Sequence, residues 1–261
     1  MCGCAVIVLL LAGCSKKPAR KARAKKEESE TRSAHREPAF RSARRLAIII
    51  DDMGNDRAED DAVIALPYPV TVSVLPHLPL STTIAEEAAR RGDEVMLHLP
   101  MQPDSESSAH EAVELRPGMS AKEVRSVFAG MLETVPHAAG VNNHEGSKAT
   151  ADPQLMDALM PALRERGLFF VDSRTTASTV AYNTARRYGV RAASRKVFLD
   201  DALNADAIEK QIDLAIKDAD RDGQAIAIGH PHPETIATLR QMLPRLKEDG
   251  IQLVFASDLA H

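Results

Sequence analysis

Leu46-Ala47-Ile48-Ile49-Ile50 is an unbroken apolar run that stops on two adjacent carboxylates, Asp51 and Asp52. An apolar stretch with no polar alternation fits a strand buried on both faces, as in a parallel sheet covered by helices. Similar runs recur at Leu46–Ile50, Val70–Val74, Glu94–His98, Ala138–Asn142, Leu168–Val171, Val190–Ala193, Ala225–Ile228 and Ile251–Phe255, separated by helical patterns. The helix signals are local chemistry. Ser120-Ala121-Lys122-Glu123 reads as a capping box, and Asp152 with Pro153 as an N-cap and a proline at the first helical position, with Gly167 as the stop. Eight strands alternating with helices predict an α/β fold, a (β/α) barrel of seven or eight units resembling a distorted TIM barrel, over residues 46–261 as one domain. The longest irregular stretch, Pro100–Met119, is read as a loop lining a site.

Outward from that domain, the N-terminus has a different character. Ala5 to Ala12 is apolar but far shorter than the roughly 20 residues of a membrane helix. It closes on Leu11-Ala12-Gly13-Cys14, which resembles the bacterial lipobox and reads residues 1–14 as a lipoprotein signal peptide with Cys14 as the lipidated residue. A plain secretory signal is the alternative; both export the chain. Residues 15–45 hold twelve Lys and Arg against four Glu, a net of +8, and few large apolar side chains, so they read as a basic, disordered tether. With the whole chain at −4, residues 46–261 carry −12, which argues against nucleic acid as a partner. The expected location is the bacterial cell envelope, on a periplasmic or outer-membrane face, with the membrane as a partner through the lipid anchor. Cys2, Cys4 and Cys14 are the only cysteines, so the domain has neither a disulfide nor a thiolate metal site. Any metal must sit on His, Asp, Glu or Asn.

In a barrel of this kind, polar residues that end an apolar strand converge on one face. Four places qualify: Asp51-Asp52; His98, which ends Val95-Met96-Leu97; the segment Asn142-Asn143-His144-Glu145; and Gly229-His230-Pro231-His232-Pro233. Each alone has an ordinary structural reading as a cap, a core imidazole or a turn. Together, a pair of like charges that needs compensation and three strand-end imidazole clusters point to one divalent ion bound by Asp and His, with zinc the expected metal.

These residues resemble the divergent polysaccharide deacetylases, a branch of the NodB-homology carbohydrate esterases. The marks are Ile49-Ile50-Asp51-Asp52-Met53-Gly54, His98-Leu99-Pro100-Met101, Gly140-Val141-Asn142-Asn143-His144, Phe169-Phe170-Val171-Asp172-Ser173-Arg174, Val197-Phe198-Leu199-Asp200 and Ala227-Ile228-Gly229-His230-Pro231-His232. The resemblance implies Asp51 as general base, Asp52 and His98 as metal ligands, and His230 as the proton donor to the leaving group. It implies Asn143, Asp172, Arg174 and Asp200 as substrate contacts. One departure stands out: the parent family's second metal His lies four residues after the first, where this chain has Gln102. The third ligand is therefore His144, with His232 in reserve. The implied activity is removal of acetyl groups from an envelope carbohydrate. The rival is a non-catalytic module on the same barrel that binds an envelope glycan or protein, favoured by the absence of Trp and the presence of three Tyr, since sugar clefts commonly stack sugars on aromatic faces.

Overall fold

A computed structural model describes residues 44–104 and 113–261. Along the chain run β1 (Arg44–Met53), α1 (Arg57–Ile64), β2 (Thr71–Val74), α2 (Ser81–Arg91), β3 (Glu94–Met101), α3 (Ala121–Glu133), β4 (Ala138–Glu145), α4 (Pro153–Glu165), β5 (Phe169–Asp172), α5 (Ala181–Arg187), β6 (Ala192–Ser194), β7 (Val197–Phe198), α6 (Ala205–Asp222), β8 (Gln224–Gly229), α7 (Pro233–Glu248), β9 (Ile251–Val254) and a final 3-10 turn, Ala256–Asp258. The predicted capping box at Ser120 and the N-cap at Asp152 both form. The signal peptide with Cys14 and nearly all of the tether lie outside the described residues. Arg44 and Arg45, assigned to the tether by their charge, instead open β1.

The strands form one parallel sheet in the order β6-β5-β4-β3-β2-β1-β8-β7. β8 runs beside β1 from Arg45 to Ile50, so the other edge of β1 is divided between β9, at Arg44–Ala47, and β2, from Ile49 onward. The two ends of the order, β6 and β7, are separated in sequence by only Arg195 and Lys196, so the sheet curls round into a half-barrel. This is the predicted (β/α) barrel. β7 is the strand missing from the sequence reading: two residues are too short for any apolar pattern.

Two apolar cores follow from strand alternation. Leu46, Ile48 and Ile50 face outward onto the helices with Val72, Leu97, Phe170 and residues of α2, α4 and α6. Ala47 and Ile49 face inward with Met96, Phe169, Val171, Ala193, Ile226, Ile228 and Val254, a cluster containing no α-helical residue. Gly140 permits this filling: a Cβ there would lie 2.4 Å from Cζ of Phe169.

Candidate metal centre

Alternation also decides which polar side chains reach the mouth of the barrel. On β1 the inward series Ala47, Ile49 continues to Asp51, which is 2% exposed. Asp52 would then face outward, but its φ is 59°, a left-handed conformation that breaks the strand's alternation and returns its carboxylate to the same side. The turn is fixed from outside. Gly54, at φ 106°, donates its N–H to both oxygens of the buried Asp60 on α1, each at 3.1 Å, while Asp56 caps that helix. Burial pushes the Asp60 carboxyl up to about 6.

On β3 the inward series is Met96, His98, and on β4 the cross-strand partner of His98 is Asn142, followed two residues later by His144. The three expected ligands meet. Asp52 Oδ1 lies 3.2 Å from His98 Nε2 and 3.1 Å from His144 Nδ1, and the two nitrogens are 3.1 Å apart. Ligand atoms about 2.0–2.1 Å from one ion stand about 2.9–3.4 Å apart in octahedral or tetrahedral geometry, so this triangle has the size of one face of such a site. Asp52 Oδ1 is also enclosed yet accepts no well-aligned hydrogen bond. The donor set therefore fits a divalent ion. The reserve ligand, His232, is outside this cluster; its ring tilts beside His230, with centroids 6.0 Å apart.

Asn142 holds the cluster in place. Its Oδ1 accepts Ser73 Oγ at 2.7 Å and faces His98 Nδ1 at 3.0 Å, while its Nδ2 donates to Asp51 Oδ1 at 2.8 Å. An amide oxygen can only accept, so His98 carries its proton on Nδ1 and turns the Nε2 lone pair toward Asp52 and His144. Burial pulls the His98 imidazole down, but the Asp51 and Asp52 charges outweigh it and leave it raised. Burial likewise pushes Asp52 up, and the two imidazoles overcome it, holding the carboxyl far below the usual carboxylate range.

His230 Nε2 lies 3.9 Å from Asp52 Oδ2, the oxygen that does not face His98 and His144. Asp200 fixes it by accepting from the His230 backbone N–H at 2.6 Å and facing Nδ1 at 2.9 Å. Burial pulls the imidazole down, but the Asp200 hydrogen bond and the charges of Asp51, Asp200 and Asp52 push it up to about 9. Phe198 stacks on His230, and the Arg195 guanidinium lies 3.6 Å above the Phe198 ring.

Three of the four residues expected to contact substrate are occupied within the protein. Asn143 accepts from the Ser173 N–H at 2.9 Å and donates to the Glu145 carbonyl at 2.8 Å. Asp172, fully buried, accepts from Arg174 N, Thr179 Oγ1 and Tyr182 N, ordering the loop after β5. Asp200 spends its oxygens on His230 and Thr235. Only Arg174 is exposed. The inward residues that sequence reasoning passed over are Asn142, Ser173 and Arg195. Counting by twos from His98 along the paired strand would have selected Asn142 over Asn143; no sequence signal marks Arg195.

Residues 48–260 match the family described as divergent polysaccharide deacetylase. An uncharacterized protein of Haemophilus influenzae is 44% identical over 215 residues, covering 82% of this chain and 76% of its own length. Among solved structures, an uncharacterized Agrobacterium tumefaciens protein superposes with a TM-score of 0.78 at 24% identity, over 83% of this chain and 89% of that one. The catalytic domain of a peptidoglycan N-acetylglucosamine deacetylase from Eubacterium rectale gives 0.52 at 16% identity, over 82% and 90% of the two chains. Both structural likenesses show a shared fold.

Proposed function

The chain belongs to the divergent polysaccharide deacetylase family, and from that premise we propose that it is a metal-dependent hydrolase, zinc being the metal, that removes acetyl groups from a carbohydrate of the bacterial cell envelope. The observation that carries this reading is the setting of two differently held groups able to move a proton, Asp51 and His230, beside the Asp52–His98–His144 triangle. A divalent ion bound there would polarise the acyl carbonyl and acidify a water molecule. Asp51 has one oxygen held by Asn142 and its Oδ2 3.6 Å from His98 Nε2, which suits it to take the proton of the attacking water. His230, kept protonated by Asp200, suits proton donation to the departing amine or alcohol. Asn142 keeps the His98 lone pair aimed at the ion. In this reading Cys14 carries the lipid that holds the domain at the envelope.

The test is acetate release from acetylated amino-sugar oligomers by the full chain, with zinc, cobalt, nickel or manganese supplied. Release above blank that depends on the metal supports the proposal. No release with any metal, together with saturable glycan binding that survives Asp51→Asn, leaves the binding module instead. Cys14→Ala is expected to move the protein from the membrane to the soluble fraction; continued membrane association at unchanged mass would remove the lipid anchor.

A further inference from the structure

Asp52 Oδ1 and Ser173 Oγ are the buried side-chain atoms without a hydrogen-bond partner among the described residues. The first belongs to the metal cluster. The second belongs to nothing described so far. Ser173 is 1% exposed and follows Phe169 and Val171 in the inward series of β5, which directs it to the mouth of the barrel. Arg195 follows Ala193 in the same way on β6, and because Val171 pairs with Ala193 and Asp172 with Ser194, Ser173 and Arg195 become neighbours one step further on. The Arg195 Nε–H donates to the Ser173 carbonyl at 2.6 Å and its Nη2 to the Arg174 carbonyl at 2.9 Å. A guanidinium has five N–H donors, so these two bonds leave others for a ligand. Asp201, Asp172 and Asp51 act on Arg195 through their charge, and among the described residues none of them forms an ion pair with it.

We propose that Ser173 Oγ and the Arg195 guanidinium, with Arg174 at the exposed rim, form a subsite for a carboxylate, so that the carbohydrate handled at the metal centre is an acidic sugar. This rests on the reading of that centre as a deacetylase. A flat guanidinium clamped on Phe198 presents its donors in a fixed plane, the arrangement suited to a carboxylate, and a buried hydroxyl beside it adds a further donor. Recognition by charge also accounts for a sugar site in a chain without Trp.

The experiment is calorimetric titration of the full chain, zinc present, with N-acetylmuramic acid and with N-acetylglucosamine, which share the acetamido sugar and differ by an O-lactyl carboxylate. The wild type is expected to bind the acid about tenfold more tightly, the scale of one charge-assisted contact. Arg195→Gln is expected to erase that preference while leaving the neutral sugar's affinity unchanged, Arg195→Lys to restore part of it, and Ser173→Ala to reduce it. Equal wild-type affinities for the two sugars overturn the subsite, as does an equal weakening of both by Arg195→Gln. Should Arg195→Gln fail to fold, Ser173→Ala decides: an unchanged preference overturns the proposal. A preference for the acid without acetate release from either sugar keeps the subsite and removes the deacetylase reading; acetate release without the preference does the reverse.

Discussion

The floor and the mouth of the barrel are made by the same strands, and they differ in what alternation delivers. Lower down, the inward positions include Ala47, Ile49, Met96, Phe169, Val171, Ala193, Ile226 and Ile228, apolar and buried, with the polar Thr71 and Ser73 of β2 beside Ile49 and Met96. One inward step further stand Asp51 on β1, His98 on β3 and, just past the ends of β5, β6 and β8, Ser173, Arg195 and His230. Strand parity chooses which residues face the interior; height along the strand chooses packing or chemistry. The floor has one carboxylate, Glu94, and it sharpens the contrast: its Oε1 accepts from Thr71 Oγ1 at 3.0 Å and Ser257 N at 3.1 Å, and burial pushes its carboxyl up. Asp52 Oδ1 at the mouth faces instead the two imidazoles of His98 and His144, at 3.2 and 3.1 Å, and accepts no well-aligned hydrogen bond. A satisfied buried acid belongs to the structure, and an unsatisfied one to a ligand.

The largest expected effect lies at the mouth. If Asp51 is the base, Asp51→Asn is expected to lower acetate turnover by about 10²–10⁴-fold with metal content unchanged. Turnover within a few fold of wild type would remove that role. At the floor the expected effect is on stability: Phe169→Ala empties part of the inner core and is expected to cost about 3–5 kcal/mol in denaturant unfolding while the folded fraction keeps its metal. Loss of metal at full stability would break the division between the two regions.

Between these lies Asn142, which touches the mouth without ligating. Asn142→Ala is expected to weaken metal binding about 10–100-fold in a competition titration against a chelator. Unchanged affinity would mean that His98 needs no orienting partner.

The smallest expected effect is on pH dependence. His230 is raised above its ordinary value, so its protonated form persists until pH passes about 9, and activity that needs a protonated His230 is expected to fall through that range. The same linkage stabilises the fold fully below the ordinary imidazole value and fades as pH rises toward 9. Asp200→Asn is expected to move the alkaline limb of the rate profile to lower pH; an unmoved limb would assign it to another group.

Much of this was legible in the sequence because apolar runs and the residues that end them are local signals. The run from Leu46 to Ile50 gave the strand and its terminal carboxylates, and likewise His98, His144 and His230 end or follow apolar runs. What was not legible depended on geometry between strands. Choosing Asn143 rather than Asn142 was an error of parity, resolved only by the register that pairs His98 with Asn142. That Asp51 and Asp52 could both serve one site required a backbone turn at Asp52, a conformation that its residue type permits but does not announce. Choosing between His144 and His232 requires knowing that β4 adjoins β3, which sets His144 beside His98 and Asp52. Arg195 belongs to a two-residue link between short strands, where no apolar pattern marks it.

If Asp52, His98 and His144 hold one divalent ion, metal content per chain after zinc loading and gel filtration reports it. About one ion is expected in the wild type and in His232→Ala, and near none in Asp52→Asn, His98→Ala or His144→Ala. A His98→Ala protein that remains metal-replete would contradict it.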